Sequence, residues 1–369
     1  MKKPKLKIAQ IAPLVERIPP KKYGGTERVV YSLTEELVKR GHEVTLFASG
    51  DSMTSAKLVS VYPRSLREAK IKDLYGLNDL TLLNIGMAYK TEDQFDIIHD
   101  HNGIFSLPTA NKSLTPVVMT IHGPFTTTQR RLYGSFNNPT FVAISKSQAQ
   151  AAPKEVSVVD VIYNGLDMKH YPFSLENEGY LLFVGRISME KGAHFAIEVA
   201  QELNLPLIIA AKLDLVDMQY FNEYIGPRLS NGEVNQQIRW IGEVDEEKRN
   251  KLMSRALCVL HPVTWCEPFG LTLIESMACG TPVVAFNKGA IPEIIVDGET
   301  GFVVEDVEEM AEAILKVSQI DRQKCRHHAL ENFNSKIMTD KYEEIYIKLL
   351  EKESSGGFHH LNKSFILNG

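Results

Sequence analysis

Short apolar runs alternate along most of the chain with longer segments whose apolar residues recur at helical spacing. A short apolar run is typical of a buried strand, whereas apolar residues three or four positions apart form one face of a helix. Their alternation is the pattern of βαβ units, in which helices cover a parallel sheet. We therefore predict an α/β protein.

The first half of the chain contains a series of such strands and one clear amphipathic helix. The predicted strands are Lys7–Ile11, Glu43–Ala48, Ile97–His99, Pro116–Ile121 and Thr140–Ala143. The predicted helix, Thr26–Arg40, joins the first two strands. Its apolar face includes Val29, Leu33 and Leu37, and Gly41 follows as a stop signal.

A second series of the same kind begins after the turn-rich segment Tyr163–Phe173. Its predicted strands are Tyr180–Val184, Pro206–Ala210, Ile238–Ile241, Leu257–His261 and Pro282–Phe286. Its predicted helices are Ala193–Leu203, Glu246–Ala256 and Leu271–Cys279, with further helices after Val307. Because 369 residues also favour two domains over one, we predict two doubly wound domains joined near residue 170.

Composition and charge narrow the class of protein. The chain is 44% hydrophobic and 24% charged, which are ordinary values for a soluble globular protein. The net charge of −5 provides no overall attraction to nucleic acid or to an acidic membrane. The N-terminal apolar stretch is too short for a signal peptide, and no stretch reaches the roughly 18 apolar residues of a membrane span. We expect a cytoplasmic protein that at most touches the inner membrane face peripherally.

Two phosphate-binding signatures are absent from the sequence. Neither a Walker-type GxxxxGK[ST] loop nor a GxGxxG fingerprint occurs, which argues against P-loop NTPases and standard nicotinamide dehydrogenases. No Asp-x-Asp pair occurs either, so a divalent metal on a diphosphate has no obvious ligands. The four cysteines lack zinc or redox spacing, and reduced thiols are the simplest interpretation.

Two predicted strands end in residues that could bind phosphate. Ligands of open α/β sheets bind beyond the carboxyl ends of the strands. Gly24-Gly25 follows the first strand, and Thr26 could cap the next helix, although a plain turn fits equally well. Arg186 and Lys191 follow the strand at Tyr180–Val184 and could hold two neighbouring phosphates. The alternative there is a solvated loop with an exposed Arg–Glu pair.

A third strand end carries the stretch WCEPFGLTLIES, with two glutamates in largely uncharged sequence. Pro268 restricts Glu267 to an extended conformation, and Gly270 lets the backbone approach a ligand. The helix that starts at Leu271 would point its free amides at the same place. Glu275 lies further along that helix. The two carboxylates would face a ligand along its length, unlike the acid/base pair of a glycosidase, which flanks one bond.

Histidines follow two neighbouring strands of the first half. His99 and His101 lie in IIHDHNG, and His122 lies in MTIHGPF. Three histidines around two strand ends favour a site that lines a cleft. Asp100 and Asn102 beside them could instead cap the next helix.

Six motifs, in this order between residues 7 and 305, resemble retaining glycosyltransferase family 4: GGTE, TIHG, VGRISMEKG, EPFGLTLIE, MACGTPVVA and KGAIPEIIVDGETGFVV. The segment around WCEPFGL is similar to bacterial glucosyltransferases that act on small molecules. The resemblance implies the GT-B fold, in which two Rossmann-like, doubly wound domains face each other across a cleft. It implies an acceptor-side domain at 1–168 and a nucleotide-sugar domain at 169–336. A helix at 337–355 could pack back on the first domain, before a flexible tail at 356–369.

The same resemblance implies the reaction and its partners. A hexosyl group, glucose from UDP-glucose in the first instance, would pass with retention from a nucleotide-sugar donor to a hydroxyl acceptor. That acceptor would be a small molecule, a lipid or a glycan, and no nucleic acid is implied. No cofactor and no metal are expected. A GT-B sugar-nucleotide epimerase or phosphorylase, or a non-catalytic nucleotide-sugar-binding protein, is the alternative.

The resemblance also assigns roles to individual residues. Arg186 and Lys191 would neutralise the departing diphosphate, Glu267 would bind hydroxyls of the donor sugar, and Glu275 would bind the ribose. His122 would lie near the sugar and the attacking acceptor, which completes a catalytic set with Arg186, Lys191 and Glu267. Further donor contacts would come from Gly24, Gly25, Phe269, Gly270, Leu271 and Thr272, and the acceptor-side candidates are His99, His101 and His122. The chain departs from the family pattern at Lys212, where many members have glycine, and at Ala290.

Overall fold

The computed structural model describes residues 4–71, 73–136, 138–230 and 237–355, so the predicted tail at 356–369 lies outside the described residues. Within them the chain forms two parallel β-sheets, and each sheet packs hydrophobic cores against both of its faces. The predicted α/β class with two doubly wound sheets is therefore confirmed.

The first sheet comes from the first half of the chain. Its strands are β1 (Lys7–Ile11), β2 (Glu43–Phe47), β3 (Lys57–Val59), β4 (Ile97–Asp100), β5 (Val117–Ile121), β6 (Thr140–Ala143) and β7 (Val158–Val161). In the described residues their order is β3-β2-β1-β4-β5-β6-β7, and neighbours are parallel. The strand order reverses between β1 and β4, which places a crevice at the carboxyl ends of these two strands.

The second sheet repeats this plan. Its strands are β8 (Leu181–Arg186), β9 (Leu207–Lys212), β10 (Ile238–Trp240), β11 (Cys258–His261), β12 (Val283–Phe286) and β13 (Gly301–Val304). Over the described segments their order is β10-β9-β8-β11-β12-β13, again with parallel neighbours. Here the order reverses between β8 and β11, so a second crevice opens at their carboxyl ends.

Helices connect and cover both sheets. Those of the first half are α1 (Gly25–Lys39), α2 (Leu74–Lys90), α3 (Leu107–Ala110), α4 (Thr127–Ser135) and α5 (Lys146–Gln150). Those of the second half are α6 (Ala193–Glu202), α7 (Met218–Tyr220), α8 (Gly226–Ser230), α9 (Glu246–Arg255), α10 (Leu271–Ala278), α11 (Ile291–Ile294), α12 (Val307–Lys316), α13 (Arg322–Asn332) and α14 (Ser335–Ser355). None of these helices combines the length and the apolar character needed to cross a bilayer.

Three strands escape the prediction from apolar runs: β3, β7 and β13. Each lies at the edge of its sheet. An edge strand has fewer buried positions, and the sequences KLV and VVDV of β3 and β7 are largely half-exposed or exposed. Such strands lack the continuous apolar run on which the prediction depends.

The last helix, α14, packs against the first domain although it follows the second in sequence. Met338, Tyr342 and Tyr346 share a buried cluster with residues of β1 and α1, among them Ile8 and Leu33. Ion pairs add to this contact: the Nη1 atom of Arg40 lies 2.6 Å from Asp340 Oδ1 and 2.9 Å from Glu343 Oε2. The first domain is therefore completed by the end of the chain.

The interdomain cleft as a candidate active site

A cavity of about 450 Å³ lies where the two crevices face each other. Its walls come from both domains. The first domain contributes the Gly24-Gly25 loop after β1 and His122 after β5, and the second contributes Arg186, Lys191 and residues 265, 267–272 and 275. Segments predicted from separate strand ends are thus brought together in one cleft.

Two helix N-termini meet across this cleft. Gly24 is the N-cap of α1, and no side chain caps the helix. The expectation that Thr26 caps it is wrong, because Thr26 lies inside the first turn of α1. A Cβ atom on Gly25 would lie 3.3 Å from Cδ1 of Leu271, the first residue of α10. Both helices therefore direct free backbone amides and positive dipole ends into the cavity, which favours an anion.

The carboxylate of Glu267 is buried and held by three neighbours. Lys191 Nζ donates to its Oε2 atom at 2.6 Å and Trp265 Nε1 donates at 3.0 Å, while His261 Nε2 lies 3.5 Å away. Burial raises the pKa of Glu267, but the charge of Lys191 and the bond to His261 outweigh burial and lower it to about 2. Glu267 is therefore ionised at neutral pH.

The backbone of Glu267 is fixed by the KGAIPE segment. Ala290 N donates to the carbonyl of Glu267 at 2.9 Å. Gly289 has φ +65°, and a Cβ atom there would come within 2.4 Å of Glu267 O and 2.5 Å of Glu267 N. Only glycine allows this close approach. The sequence indicated the motif but not that it positions Glu267.

Glu275 lies inside α10, the helix that follows Glu267, and its carboxylate contacts residues of both domains. Its Oε1 atom accepts a hydrogen bond from Arg249 Nη2 at 2.7 Å and lies 3.6 Å from Nη1 of Arg28, a residue of the first domain. The same Nη1 atom of Arg28 lies 2.8 Å from Glu246 Oε2. Sequence reasoning missed Arg28, which directly follows the GGTE motif but was not singled out, and Arg249, which stands inside a helix without a motif to mark it.

Arg186 is the last residue of β8, at the strand end where it was predicted, although β8 extends two residues beyond the predicted Val184. Its guanidinium is ion-paired with Glu190, and its Nε atom lies 3.5 Å from Asp217 Oδ2. The structure therefore contains the Arg–Glu pair of the alternative interpretation, and it also places Arg186 in the cavity wall. Lys191 lines the same cavity, but its ion pair is with Glu267 and not with the Arg186–Glu190 pair.

Lys212, where many members of the resembled family have glycine, also reaches the cleft. It is buried, and its Nζ atom lies 2.9 Å from Asp214 Oδ2 and 4.5 Å from the centre of the Tyr23 ring. Since Tyr23 belongs to the first domain, this side chain spans the cleft. A cation–π contact of this kind contributes roughly 0.5–2 kcal/mol.

The remaining donor-side candidates line the cavity in different ways. Phe269, Gly270, Leu271 and Thr272 all belong to the wall. The ring of Phe269 is buried in the core of the second domain, so its backbone is the part available to a ligand. In the described part of the chain, no three His, Cys, Asp or Glu side chains converge as metal ligands.

The three histidines do not share one position. His122 lines the cavity, whereas His101 is buried directly behind it. His99 is fully buried, with Nδ1 bonded to Tyr346 OH at 2.6 Å and Nε2 to Thr120 Oγ1 at 2.7 Å. The structure therefore corrects the expectation for His99, which lies in the core and not on the acceptor side. The covering residue, Tyr346, comes from α14 and is invisible to local sequence.

Asp100 and Asn102 close the turn after β4. Asp100 Oδ1 accepts from the backbone amide of Asn102 at 2.8 Å, and Tyr89 OH donates to Oδ2 at 3.0 Å. Asn102 makes no side-chain cap for the short helical turn that follows. These two residues stabilise the loop that carries His101.

Comparison with known proteins identifies the family. Residues 169–333 match the model described as glycosyl transferases group 1, and residues 23–170 match that of glycosyltransferase family 4. The N-acetyl-α-D-glucosaminyl L-malate synthase of Bacillus anthracis is 24% identical over 90% of this chain and 96% of its own. A phosphatidyl-myo-inositol mannosyltransferase of Propionibacterium freudenreichii is 25% identical over 75% of this chain and 77% of its own.

Solved structures show the same two-domain fold. The sucrose-phosphate synthase of Thermosynechococcus elongatus superposes with a TM-score of 0.77 at 18% identity, covering 94% of this chain and 100% of its own. HepE of Anabaena, solved with UDP and glucose, has a TM-score of 0.72 at 20% identity and covers 93% and 100%. The fold is therefore GT-B, as the resemblance implied.

Proposed function

The chain belongs to glycosyltransferase family 4, with the GT-B fold, and we propose that it transfers a hexosyl group with retention from a UDP-linked sugar to a hydroxyl acceptor. Glucose is the first candidate for the sugar. The observation that carries the proposal is the ionised Glu267, held by Lys191 beside two facing helix N-termini. A buried carboxylate can bind hydroxyls of the donor sugar, and a cation and free amides can bind its diphosphate.

Each part of the donor has a place in this arrangement. The diphosphate lies between the N-termini of α1 and α10, where the amides of Gly25 and Leu271 point, with Arg186 and Lys191 beside it. Glu267 accepts hydrogen bonds from sugar hydroxyls. Glu275 accepts from the ribose, and Arg249 holds its carboxylate in place.

The reacting bond joins the anomeric carbon to the diphosphate oxygen. As it breaks, negative charge grows on the phosphate, and the fixed cations and amides stabilise that charge without rearrangement. The acceptor hydroxyl attacks the same face and gives its proton to the departing phosphate oxygen, so the anomeric configuration is retained. In this scheme Arg186 and Lys191 supply the positive charge, and no metal is needed.

The names of relatives and neighbours support a nucleotide-sugar donor, but they differ in the sugar that is transferred. HepE was solved with UDP-glucose, whereas the two curated relatives are named for N-acetylglucosamine and mannose transfer. Their acceptors are equally different, a malate and a phosphatidylinositol. The nucleotide sugar and the acceptor must therefore be found by experiment.

A mass-spectrometric acceptor screen tests the proposal. The full chain is incubated with UDP-glucose, GDP-mannose or UDP-N-acetylglucosamine and libraries of small molecules, lipids and glycans. We expect a product heavier by one glucosyl unit, formed from UDP-glucose at the same rate with EDTA, and the NMR coupling of its anomeric proton should show the donor's configuration. No product from any donor contradicts transfer, an inverted product contradicts retention, and loss with EDTA contradicts metal independence.

A control without acceptor distinguishes the main alternative. Conversion of the nucleotide sugar into an isomer, with no acceptor present, would indicate an epimerase. We expect no such isomer.

A further inference from the structure

A chain of hydrogen-bonded side chains lies behind His122 in the first domain. His101 Nδ1 lies 2.9 Å from His122 Nε2, and His101 Nε2 lies 2.8 Å from Gln10 Oε1. Gln10 and His101 are buried, and only His122 lines the cavity. The three residues come from β1 and from the ends of β4 and β5, which are neighbouring strands.

These two contacts, with the carboxamide oxygen of Gln10 facing His101, assign the protons. A carboxamide oxygen can only accept a hydrogen bond, so Nε2 of His101 must carry a proton. A neutral imidazole has one N–H, and Nδ1 of His101 is then an acceptor. It follows that His122 donates through Nε2–H. Within the described chain, Nδ1 of His122 has no hydrogen-bond partner, so its lone pair remains available to a ligand in the cleft.

The assignment requires neutral rings, and the surroundings keep them neutral. Burial lowers the pKa of His122 to about 4. Burial also holds the pKa values of His99 and His101 well below the ordinary range, with neighbouring histidines adding to the effect. At neutral pH each ring therefore has one proton, and the bond between His101 and His122 has one direction.

The position of His101 is fixed by its own neighbours. The His99 ring lies against it, with centroids 4.2 Å apart. His99 is in turn held by Tyr346 and by Thr120, whose hydroxyl lies 2.7 Å from Tyr342 OH. Since both tyrosines belong to α14, the C-terminal helix anchors the ring stack that orients His122.

We propose that His101, oriented by Gln10, is a positioning residue that holds His122 in the Nε2–H tautomer. Nδ1 of His122 then acts as a hydrogen-bond acceptor for a hydroxyl of the donor sugar or of the acceptor. The identity of that hydroxyl rests on the proposed function, whereas the tautomer does not. A histidine that only fills the core would not need this direction, but His101 contacts His122, which lines the cavity.

Nitrogen-15 NMR of the full-length protein, labelled at histidine and free of ligand, tests the tautomer directly. The His122 resonances are assigned by their loss in His122→Gln. At neutral pH we expect a protonated, pyrrole-type Nε2 and a bare, pyridine-type Nδ1 for His122. The reverse pattern, or averaging between the two, overturns the inference. This measurement needs no activity, so it is independent of whether the proposed function is correct.

Kinetics of His101→Phe test the consequence for transfer. The phenyl ring keeps the shape but cannot accept the His122 proton. We expect kcat to fall about 10- to 100-fold, as when the orienting partner of a functional histidine is removed. Binding of free UDP should be unchanged, because His122 does not face the nucleotide in this arrangement.

The matched control is Thr34→Val, which removes a buried hydroxyl of the first domain that lies outside this series of contacts and leaves the His101–His122 bond intact. We expect this variant to keep the wild-type kcat. If folded His101→Phe also keeps the wild-type kcat, or if both variants lose activity equally, the positioning role is wrong. Absence of transfer by the wild type would instead contradict the proposed function.

Discussion

The two walls of the cleft are built from different chemistry. The second-domain wall contains charges compensated in pairs, Lys191 with Glu267 and Arg249 with Glu275. The first-domain wall also contains charged side chains, among them Arg28 and Arg67, but around the strand ends it presents the glycine amides before α1 and the neutral ring of His122. The charged pairs of the second domain therefore suit the charged donor and its leaving group, and His122 offers a neutral hydrogen bond.

This difference has a consequence for how each wall is held together. The charged side chains of the second wall are fixed mainly by neighbours from the same domain. His122 depends on a series of buried contacts that reaches α14. Changes in the charged pairs of the second domain should therefore affect donor chemistry directly, whereas His122 responds to changes far along the chain.

The largest effect is expected from Glu267→Ala. It removes the acceptor for sugar hydroxyls and leaves Lys191 without its partner, so transfer should fall by at least about 10²–10³. Binding of free UDP should be largely spared, since UDP lacks the sugar. Initial rates and calorimetric titration measure the two quantities. Near-normal turnover would show that the assigned role is wrong.

Lys191→Met tests the cation of the same pair. The thioether keeps the length of the side chain but not its charge, and we expect kcat to fall by about 10²–10³, because one fixed donor to the leaving group is lost. Lys191→Arg, which keeps the charge, is the control and should retain more activity. Equal rates for both variants would argue that charge at this position is irrelevant.

Glu275→Gln should affect donor binding more than turnover. A hydrogen bond to a charged group contributes about 1.5–3 kcal/mol, so the donor KM should rise roughly 10- to 100-fold. Glu246→Gln, which removes the more exposed carboxylate near Arg28, is the control. A larger change in kcat than in KM would place Glu275 near the reacting atoms and contradict the ribose assignment.

Gly289→Ala tests the segment that supports Glu267. The added methyl group would overlap the backbone of Glu267, and overpacking of this kind costs about 1–3 kcal/mol. The free energy of unfolding from denaturant titration should fall accordingly, together with the transfer rate. Ala290→Gly alters the next residue without a clash and should change both quantities less. Wild-type activity in Gly289→Ala would show that this segment does not position Glu267 for transfer.

The smallest effect is a difference in pH dependence between the walls. Glu267 has a pKa of about 2 against an ordinary 4.5, so its contribution to stability is present above pH 4.5 and is lost as pH falls toward 2. His122 has a pKa of about 4 against 6.5, so its neutral form stabilises the fold above pH 6.5, and this is lost as pH falls toward 4.

Unfolding free energies of wild type, Glu267→Gln and His122→Gln, measured from pH 8 to the lowest pH at which each folds, should separate these two windows. Each variant's difference from wild type should change only in its own window. If both differences change together, the walls are not electrostatically independent.

Much of this organisation could be predicted from the sequence, because it depends on local patterns. Apolar runs located the central strands. Arg186, Lys191 and Glu267 lie close to strand or helix ends, Glu275 lies inside the helix that follows Glu267, and all four line one cleft. The edge strands β3, β7 and β13 were missed because half-exposed positions leave no continuous apolar run, whereas the edge strand β10 was predicted.

The parts that could not be predicted depend on distant contacts. Arg28 and Arg249 reach Glu275 from two different helices, and local sequence does not indicate that either one contacts Glu275. His99 was misplaced because its position at a strand end resembles that of His122, while its partner Tyr346 lies 247 residues away. Local spacing contains no information about such a partner.

Calorimetric titration of UDP into the intact protein tests the central claim, that the cleft holds the nucleotide diphosphate of a sugar donor. We predict saturable binding at one site, retained in Glu267→Ala and weakened in Glu275→Gln. No heat of binding with the wild-type protein, for UDP or for GDP, would contradict the account.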